Sequence, residues 1–308
     1  MSNGNKSLSI TVAIIVFNTD EVLLQRCLES VRNQTGTHLA NIEILVRDNS
    51  SNSKLRRRFE NLCDRWLEGD NIGFGAAANR CVRDARNDWI LLLNPDTEIQ
   101  DGALEALART AVARRSPNDI YVGWLRSRCA VQVDAMMCWL FSTARLLRRH
   151  RYSVVLRRSA GGAIIPVEKV SGGACFAHRG VLESLGPYDE RFFLYGEDVD
   201  MSLRARQRGF NLLAVPTAAI FHDAASSQRD HSRLVERARA DSAVRLSAYH
   251  LTYYGSILFR AEFLIVTLLG LVVPTQTSSH SREARFARLR VLRAWGLRKD
   301  LEKWAPNE

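Results

Sequence analysis

The chain has 308 residues, of which 46% are hydrophobic and 25% are charged, and this composition excludes a wholly disordered protein. Its formal net charge of +10 favours anionic partners such as phosphorylated substrates or acidic lipid. Six cysteines without a C-x-x-C pair, and the lack of any RNA-binding signature, argue against a zinc or disulfide framework and against nucleic acid as a partner.

The first third of the chain alternates short apolar runs with helical patterns, from Ser9 to about Val112. Three continuous apolar runs predict parallel strands that are covered on both faces, at residues 10–17, 42–46 and 89–93. Helical patterns occupy residues 21–34, 54–63 and 75–85. This order predicts βαβ units in an open parallel sheet, whose ligands bind beyond the carboxyl ends of the strands. The first run has no small-residue cleavage site after it, so we expect a buried strand and not a secretory signal.

The pattern weakens from Arg126 to Arg158, where arginines crowd together after an apolar run at residues 136–141. Order returns at residues 167–177 and continues as a predicted helix over 199–208, which Gly209 ends. Two short strands are predicted next, at residues 212–215 and 219–221. After His222 the sequence predicts helices over 230–254, an apolar stretch to residue 273 and a basic segment at 282–303.

Polar residues follow two of the predicted strands at the edge where ligands bind. Asp48 and Asn49 follow the second apolar run, and residues 94–96 (Asn-Pro-Asp) follow the third. A carboxylate in the position of Asp96 could hold a divalent cation that neutralises a diphosphate. Asn, Pro and Asp also favour an ordinary turn, so spacing alone leaves both interpretations of Asp96 open.

Three acidic residues, Glu197, Asp198 and Asp200, lie at the start of a predicted helix. They could serve catalysis, or they could simply complement the helix dipole. His222, at the end of a short predicted strand, is either a metal ligand or a structural histidine. Residues 71–79 could form a loop that enters a helix, and the glycines and alanines of this loop would let a ligand approach the backbone closely.

Together these segments resemble glycosyltransferase family 2, the inverting enzymes of the GT-A fold, over about residues 9–223. The motifs that carry the resemblance are the first strand at 12–18, Asp48-Asn49-Ser50-Ser51, the N-x-G-F-x-x-A-x-N segment at 71–79, Asn94-Pro95-Asp96, residues 171–175 and 192–200, and His222. The N-P-D and Y-G-E-D-V-D forms look most like bacterial rhamnosyltransferases of polysaccharide assembly. Asn94 departs from the family's D-x-D motif, so cation binding should depend on the donor phosphates.

The resemblance implies an α/β, mostly parallel GT-A sheet flanked by helices, with a catalytic domain at residues 1–225 and a helical C-terminal region at 226–308. The donor half would span about 9–125 and the acceptor half about 160–225. Asp198, and after it Glu197, would be catalytic, and Asp96 and His222 would hold Mg²⁺ or Mn²⁺, with the imidazole favouring Mn²⁺. The implied donor-binding residues are Phe17, Asn18, Asp48, Asn49, Asn71, Gly73, Phe74, Asn79, Asn94 and Asp96. The implied acceptor-binding residues are Gly173, Ala174, Tyr195 and Asp200.

The implied reaction transfers a sugar, best matched by L-rhamnose from a dTDP donor, onto a lipid-linked or polysaccharide acceptor in bacterial cell-surface glycan synthesis. A UDP-hexose or UDP-galactofuranose donor stays open, and so does a homo-oligomer. A carboxylate-pair glycosidase and an inactive sugar-binding protein are further alternatives. The nucleotide-binding motif argues against the first, and the joint presence of Asp48, Asp96, Asp198 and His222 argues against the second.

The C-terminal region predicts contact with a membrane surface. The uncharged run at residues 263–273 is about half the ~20 residues that a spanning helix requires, and Arg260 and Glu262 interrupt it. The next segment mixes arginines with Trp295 and leucines at helical spacing, which is typical of a helix among lipid headgroups. We therefore expect a cytoplasmic enzyme bound peripherally or monotopically to the inner face of the membrane. Packing of both helices on the catalytic domain is the alternative.

Overall fold

A computed structural model of the chain describes residues 6–50, 53–127, 130–138, 153, 162–222, 233–272 and 279–303. Ser51, Asp223, Val273 and most of the arginine-rich stretch at 139–158 lie outside the described residues. The expectations that involve them stay predictions.

The first half of the chain forms the parallel part of one sheet. Its strands are β1 (Leu8–Val16), β2 (Leu39–Asp48), β3 (Arg65–Glu68) and β4 (Trp89–Leu93). β1 lies between β2 and β4, and β3 lies outside β2. Four helices accompany these strands: α1 (Glu21–Arg32), α2 (Ser53–Phe59), α3 (Phe74–Asp84) and α4 (Ala103–Arg114). The central strands are continuously apolar because both of their faces are buried.

Beyond β4 the sheet continues with mixed pairs. The strands are β5 (Thr97–Ile99), β6 (Asp119–Arg126), β7 (Ile165–Pro166), β8 (Ala174–His178) and β9 (Asn211–His222). β8 pairs antiparallel with β4 and β6, β6 pairs parallel with β9, and β5 and β7 pair antiparallel with β9. The helices of this half are α5 (Arg179–Leu185) and α6 (Glu197–Gln207). The predicted α/β class is confirmed, and the antiparallel pairs are confined to this later half.

Some element boundaries differ from the predicted ones. The two short strands predicted at 212–215 and 219–221 form a single strand, β9, whose register against β6 slips between Val215 and Ala219. Pro216 lies in this interval and has no N–H to give to the ladder, so the strand bulges there and then resumes its pairing. The helix predicted over 54–63 is also shorter, since α2 ends at Phe59 and a single 3₁₀ turn, Glu60–Leu62, follows it.

Three helices form the C-terminal region: α7 (Arg233–His250), α8 (Tyr253–Val272) and α9 (Ser279–Trp295). They share a small apolar core that includes Val244, Phe259, Phe263 and Val291. Arg245 is fully buried and donates to the Asp241 carboxylate and to the main-chain carbonyls of residues 301 and 302, which ties the chain after α9 back to α7. α7 also binds the loop before α6, because the Ser242 hydroxyl donates to the carbonyl of Leu194.

Candidate active site

A cavity of about 510 Å³ opens at the carboxyl ends of β1, β2 and β4. The loops after these strands line one side, the start of α6 and the end of β9 line the other, and α7 contributes Leu234 and Val235. Most residues predicted for the site line this single cavity: Phe17, Asn18, Asn49, Asn71, Gly73, Phe74, Asn94, Asp96, Gly173, Tyr195, Glu197, Asp198 and His222. The fold therefore gathers at one place the residues predicted for donor, acceptor, metal and catalysis.

Two turns shape the donor side of the cavity. The N–H of Asn18 (φ 45°) donates to the Ser50 hydroxyl over 2.7 Å, which joins the loops after β1 and β2. The side chain of Asn71 accepts the N–H of Gly73 over 3.2 Å. Gly73 has a φ of +86°, and a Cβ there would lie 2.3 Å from the carbonyl oxygen of Phe193. Only glycine fits this position, because both the backbone conformation and the space exclude a side chain.

Main-chain hydrogen bonds join the donor side to the opposite side. The N–H of Phe74, the first residue of α3, donates over 3.0 Å to the carbonyl of Phe193, five residues before Asp198. The N–H of Asn94 donates over 3.3 Å to the carbonyl of Gly173. A Cβ at Gly173 would lie 2.9 Å from the amide nitrogen of Asn94. The width of the cavity is thus set by backbone contacts.

Asp48, predicted to bind the nucleotide base, is fully buried at the end of β2 and does not line the cavity, although its neighbour Asn49 does. One carboxylate oxygen of Asp48 accepts the N–H of Ser50 over 2.7 Å. The other oxygen has no hydrogen-bond partner in the part of the chain that the structure describes. Burial, the largest influence, raises the pKa of the Asp48 carboxyl. The predicted role of Asp48 stays a prediction.

Asp96 and His222 meet because β5, which follows Asp96, pairs with the end of β9. The Oδ1 of Asp96 lies 3.3 Å from the Nε2 of His222. The amide N–H of Gln132 donates over 3.2 Å to the carbonyl of His222, so the Gln132 oxygen, 2.8 Å from Nδ1, accepts the Nδ1 proton. Nδ1 therefore carries a proton, and in the neutral ring Nε2 is the nitrogen that offers a lone pair; Nε2 has no hydrogen-bond partner among the described residues.

This pair fits a divalent cation. Two ligands that each lie about 2.1 Å from an octahedral ion, at right angles, are about 3.0 Å apart, close to the 3.3 Å between Asp96 and His222. A carboxylate oxygen and an imidazole lone pair are both donors that Mn²⁺ accepts. No group of three or more His, Cys, Asp or Glu side chains forms a metal cluster within the described ranges. Phosphate oxygens of a bound donor would therefore have to complete the coordination.

Glu197 and Asp198 begin α6, after Gly196 adopts a left-handed conformation with φ of +82°. The Oδ2 of Asp198 lies 3.2 Å from the Nζ of Lys169. Glu197 is buried, and burial first and the charge of Asp198 second raise the pKa of Glu197 to about 8. Glu197 is therefore protonated at neutral pH, whereas Asp198 faces an ammonium group.

Two predicted site residues belong to the interior of the protein. Asn79, predicted to bind the donor, faces inward from α3, where its amide oxygen accepts the N–H of Tyr188 and its amide nitrogen donates to the Tyr188 carbonyl. Ala174, predicted to contact the acceptor, is fully buried in β8 opposite Leu93. Hydrogen bonding and sheet packing occupy these side chains in the structure, and their predicted binding roles stay predictions.

Asp200, also predicted to contact the acceptor, does not line the cavity. Its two oxygens accept hydrogen bonds from Arg204 and from His250, each over 2.8 Å. Since His250 ends α7, Asp200 joins α6 to the C-terminal region. In the structure Asp200 acts as a link between these helices, and its predicted role in acceptor binding stays a prediction.

Two residues that no motif singled out complete the site. Lys169 contacts Asp198, and Gln132 contacts His222. The one sequence signal for Lys169 was its position inside the ordered stretch 167–177. Gln132 lies where the sequence pattern weakens, and it gave no signal at all.

The family model described as "Glycosyl transferase family 2" matches residues 11–171. The chain is 26% identical over 208 residues to an N-acetylglucosaminyl-diphospho-decaprenol L-rhamnosyltransferase of Mycobacterium tuberculosis, with 60% of this chain and 64% of that protein covered. It is 23% identical over 233 residues to the rhamnosyltransferase WbbL of Escherichia coli, with 70% and 84% covered. The chain thus spans just under two thirds of the length of the mycobacterial relative.

Solved structures resemble the whole described fold. GalNAc-T7 with UDP, GalNAc and Mn²⁺ aligns with a TM-score of 0.62 at 16% identity, covering 92% of this chain and 55% of that one. The mannosyltransferase PcManGT of Pyrobaculum calidifontis, with GDP-Man and Mn²⁺, aligns with a TM-score of 0.55 at 15% identity, covering 96% and 77%. At these identities the likeness concerns the fold alone, and it confirms the predicted GT-A architecture.

Proposed function

We propose, since the chain belongs to glycosyl transferase family 2, that it moves a sugar from a nucleotide-diphosphate donor to an acceptor hydroxyl with inversion at the anomeric carbon. One observation carries this proposal: Asp198 lines the same cavity as Asp96 and His222. A base and a diphosphate-binding pair must face one sugar from two sides in a single displacement, and a shared cavity allows this.

Each residue would have a definite task in the reaction. Asp198 takes the proton of the acceptor hydroxyl while the acceptor oxygen bonds to the anomeric carbon. The bond from that carbon to the diphosphate breaks, and its electron pair leaves with the diphosphate. Asp96 and His222 would hold Mg²⁺ or Mn²⁺, which supplies positive charge next to the leaving group. Glu197 is protonated at neutral pH, so it can donate a hydrogen bond from its O–H and accept one at its carbonyl oxygen but cannot take up the acceptor's proton, and we assign it to orienting the substrate.

The donor we propose is dTDP-L-rhamnose, and the acceptor is a lipid-linked or polysaccharide glycan. The names of the mycobacterial and Escherichia coli relatives support this choice over a UDP-hexose or UDP-galactofuranose. The net charge of +10 suits a diphosphate donor and an acceptor that carries phosphate.

We further propose that the C-terminal helices bind the inner face of a membrane. By length and composition α8 is the one described helix that could cross a bilayer, over Tyr253–Leu271. Only 28% of this apolar window is buried in the protein, so most of it is exposed. Spanning would detach its inner face, where buried Arg260 donates to the carbonyls of Gly296 and Arg298 after α9. Its outer face presents an exposed apolar stripe made of Tyr254, Leu258, Ile265, Leu268 and Leu269. The neighbouring helix α9 and the chain after it carry exposed basic residues, at Arg282, Arg290, Arg293, Arg298 and Lys299. Such a surface supports monotopic binding to anionic lipid.

Nucleotide-dependent thermal stabilisation tests the proposed function. UDP, dTDP and GDP are each added with Mn²⁺, with Mg²⁺, or with a chelator, and the thermal midpoint is measured. A ligand at 100 times its Kd stabilises the folded state by about 2.7 kcal/mol. We expect stabilisation by dTDP or UDP only when the cation is present. A panel of nucleotide sugars with a hydrolysis readout then identifies the donor. Stabilisation by no nucleoside diphosphate, with either cation, would contradict the proposal.

A further inference from the structure

Lys169 is a buried lysine whose ammonium faces the proposed base. It lies between β7 and β8, and its Nζ is 3.2 Å from the Oδ2 of Asp198. The side chains of Lys169 and Asp198 are only 12% and 16% exposed. Shielding two charges from water is costly, so such a pair forms where the surrounding structure holds its geometry.

The backbone holds the two residues opposite each other. The buried Ser202 hydroxyl accepts the N–H of Val170 over 3.0 Å and donates to the carbonyl of Asp198 over 2.6 Å. On the other side, the N–H of Lys169 donates to the carbonyl of Met136 over 3.2 Å. Lys169 therefore presents its ammonium from a fixed main chain, unlike a surface lysine that is free to move.

Acidic groups surround the pair, and this makes the positive charge of Lys169 important. Burial is the largest single influence and acts to lower the pKa of Lys169, but the charge and hydrogen bond of Asp198, together with Cys138 and Asp134, outweigh it, so the pKa is raised and the amine is protonated. Burial first and the charge of Asp198 second raise the pKa of Glu197, the residue before Asp198, and the positive charge of Lys169 opposes this increase. The other titratable or charged groups that act on the pair or on its neighbours are Asp134, Cys138, Glu168, Cys175, Tyr188, Asp200 and Arg206.

We propose that Lys169 is the positioning residue for Asp198. Its ammonium binds Oδ2, leaves Oδ1 to receive the proton of the acceptor hydroxyl, and keeps the carboxylate ionised until that proton arrives. Lys169 keeps its own proton throughout the displacement and never touches the sugar. This inference rests on the proposed role of Asp198 as the base.

The pH profile of kcat/KM tests this role in full-length variants. In Lys169→Met the carboxylate loses its neighbouring cation, so the acid limb of the profile should move to higher pH by about one unit or more, the effect typical of an opposite charge at this distance. Lys169→Arg keeps the charge and should move the limb much less. Lys169→Gln, neutral but able to donate a hydrogen bond, should shift the limb as Lys169→Met does. It also serves as the neutral variant if methionine lowers the yield of folded protein. Calorimetric binding of dTDP with Mn²⁺ should match the parent in all three.

A double variant separates this role from the proposed function. If Lys169 acts through Asp198, Lys169→Met should cause no further loss of kcat/KM in the Asp198→Asn background at any pH. An unchanged acid limb in both neutral variants, together with a strongly impaired Asp198→Asn, overturns the role of Lys169 alone. Full activity of Asp198→Asn would overturn the base assignment, and the role of Lys169 with it.

Discussion

Glu197 and Asp198 are consecutive carboxylic residues with different surroundings, and the difference supports the separate roles proposed for them. Asp198 faces the Lys169 ammonium, whereas Glu197 is buried beside the charge of Asp198, and its pKa rises to about 8. A carboxyl group that is already protonated at neutral pH cannot accept the acceptor's proton. These surroundings support the proposal that Asp198 is the base, although the sequence alone could not separate these neighbours by their surroundings.

Glu197→Gln should flatten the dependence of stability on pH. The folded protein raises the pKa of Glu197 from 4.5 to about 8, so the folded state binds this proton more tightly than the unfolded chain does. Stability then falls as pH rises between these two values, and the variant lacks this loss. Urea unfolding at several pH values from about 5 to about 8 measures both slopes. An equally steep loss in the variant would assign the pH dependence to other groups.

Gln132→Leu should weaken cation-dependent nucleotide binding, because nothing would then fix the proton on Nδ1 of His222. Partners that orient a metal-binding histidine typically change affinity by about 10–100-fold, so we expect a loss of about tenfold for dTDP with Mn²⁺ in calorimetry. Gln207→Leu, at the exposed end of α6, is the matched control. Asp96→Ala and His222→Ala should remove most of the cation dependence. Parent-like binding in both of these variants would show that the cation is held elsewhere.

At the scale of the element, the geometry of α6 explains why the side chains of Asp198 and Asp200 point in different directions. Two positions along a helix correspond to a rotation of about 200°, so their side chains point to nearly opposite sides. Asp198 faces the cavity, and Asp200 faces Arg204 and His250. At one helix start, Asp198 thus lines the cavity, whereas Asp200 attaches α6 to the C-terminal helices.

Asp200→Ala should reduce stability and leave nucleotide binding by the folded protein unchanged. Removing one partner of a buried ion pair leaves the others uncompensated, at a cost of about 3 kcal/mol. Urea unfolding gives the loss of stability, and Asp101→Ala, at an exposed position before α4, is the control. A variant with parent-like stability and a raised KM for the acceptor would instead support the predicted role of Asp200 in acceptor binding.

From the exposed stripe of α8 we predict that the full-length protein binds anionic membranes through this face. Leu258 and Leu269 are 65% and 59% exposed on the outer face, so changing both to serine should weaken binding without opening the core. Co-sedimentation with phosphatidylglycerol vesicles should retain the parent at low salt and release it as salt rises, because exposed charges are screened. Val22→Ser, an apolar residue that is 56% exposed but lies in α1, is the control. A parent protein that stays in the supernatant at low salt would contradict the membrane proposal.

At the scale of the whole molecule, the sequence predicted the sheet edge better than it predicted side-chain directions. Continuous apolar runs located β1, β2 and β4, and the polar residues after them line the cavity because parallel strands end at one edge. Asn79, Ala174 and Asp200 do not line the cavity, which the sequence did not predict because a motif in one sequence does not tell which side of a helix or strand faces a ligand. Lys169 was missed because its partner lies 29 positions away, and only folding brings the two together.

The protein should unfold in a single transition in calorimetry, although the sequence suggests a catalytic domain with an appendage. Arg245, Ser242 and His250 bind α7 both to the chain after α9 and to the loop and helix around the site. Nucleoside diphosphate with Mn²⁺ should therefore move the entire transition to higher temperature. Two separate transitions, with only one moved by the ligand, would show that the C-terminal helices fold independently.

The hydrogen bond from the N–H of Phe74 to the carbonyl of Phe193 has a consequence for how this enzyme can change over evolution. Both atoms belong to the backbone, so the spacing between the nucleotide side and the base side does not depend on which side chains stand at positions 74 and 193. Both side chains line the cavity, whereas Gly73 is constrained by its φ of +86° and by the Phe193 carbonyl. Substitutions at positions 74 and 193 would therefore alter the lining of the cavity while this main-chain contact keeps its two sides at the same distance.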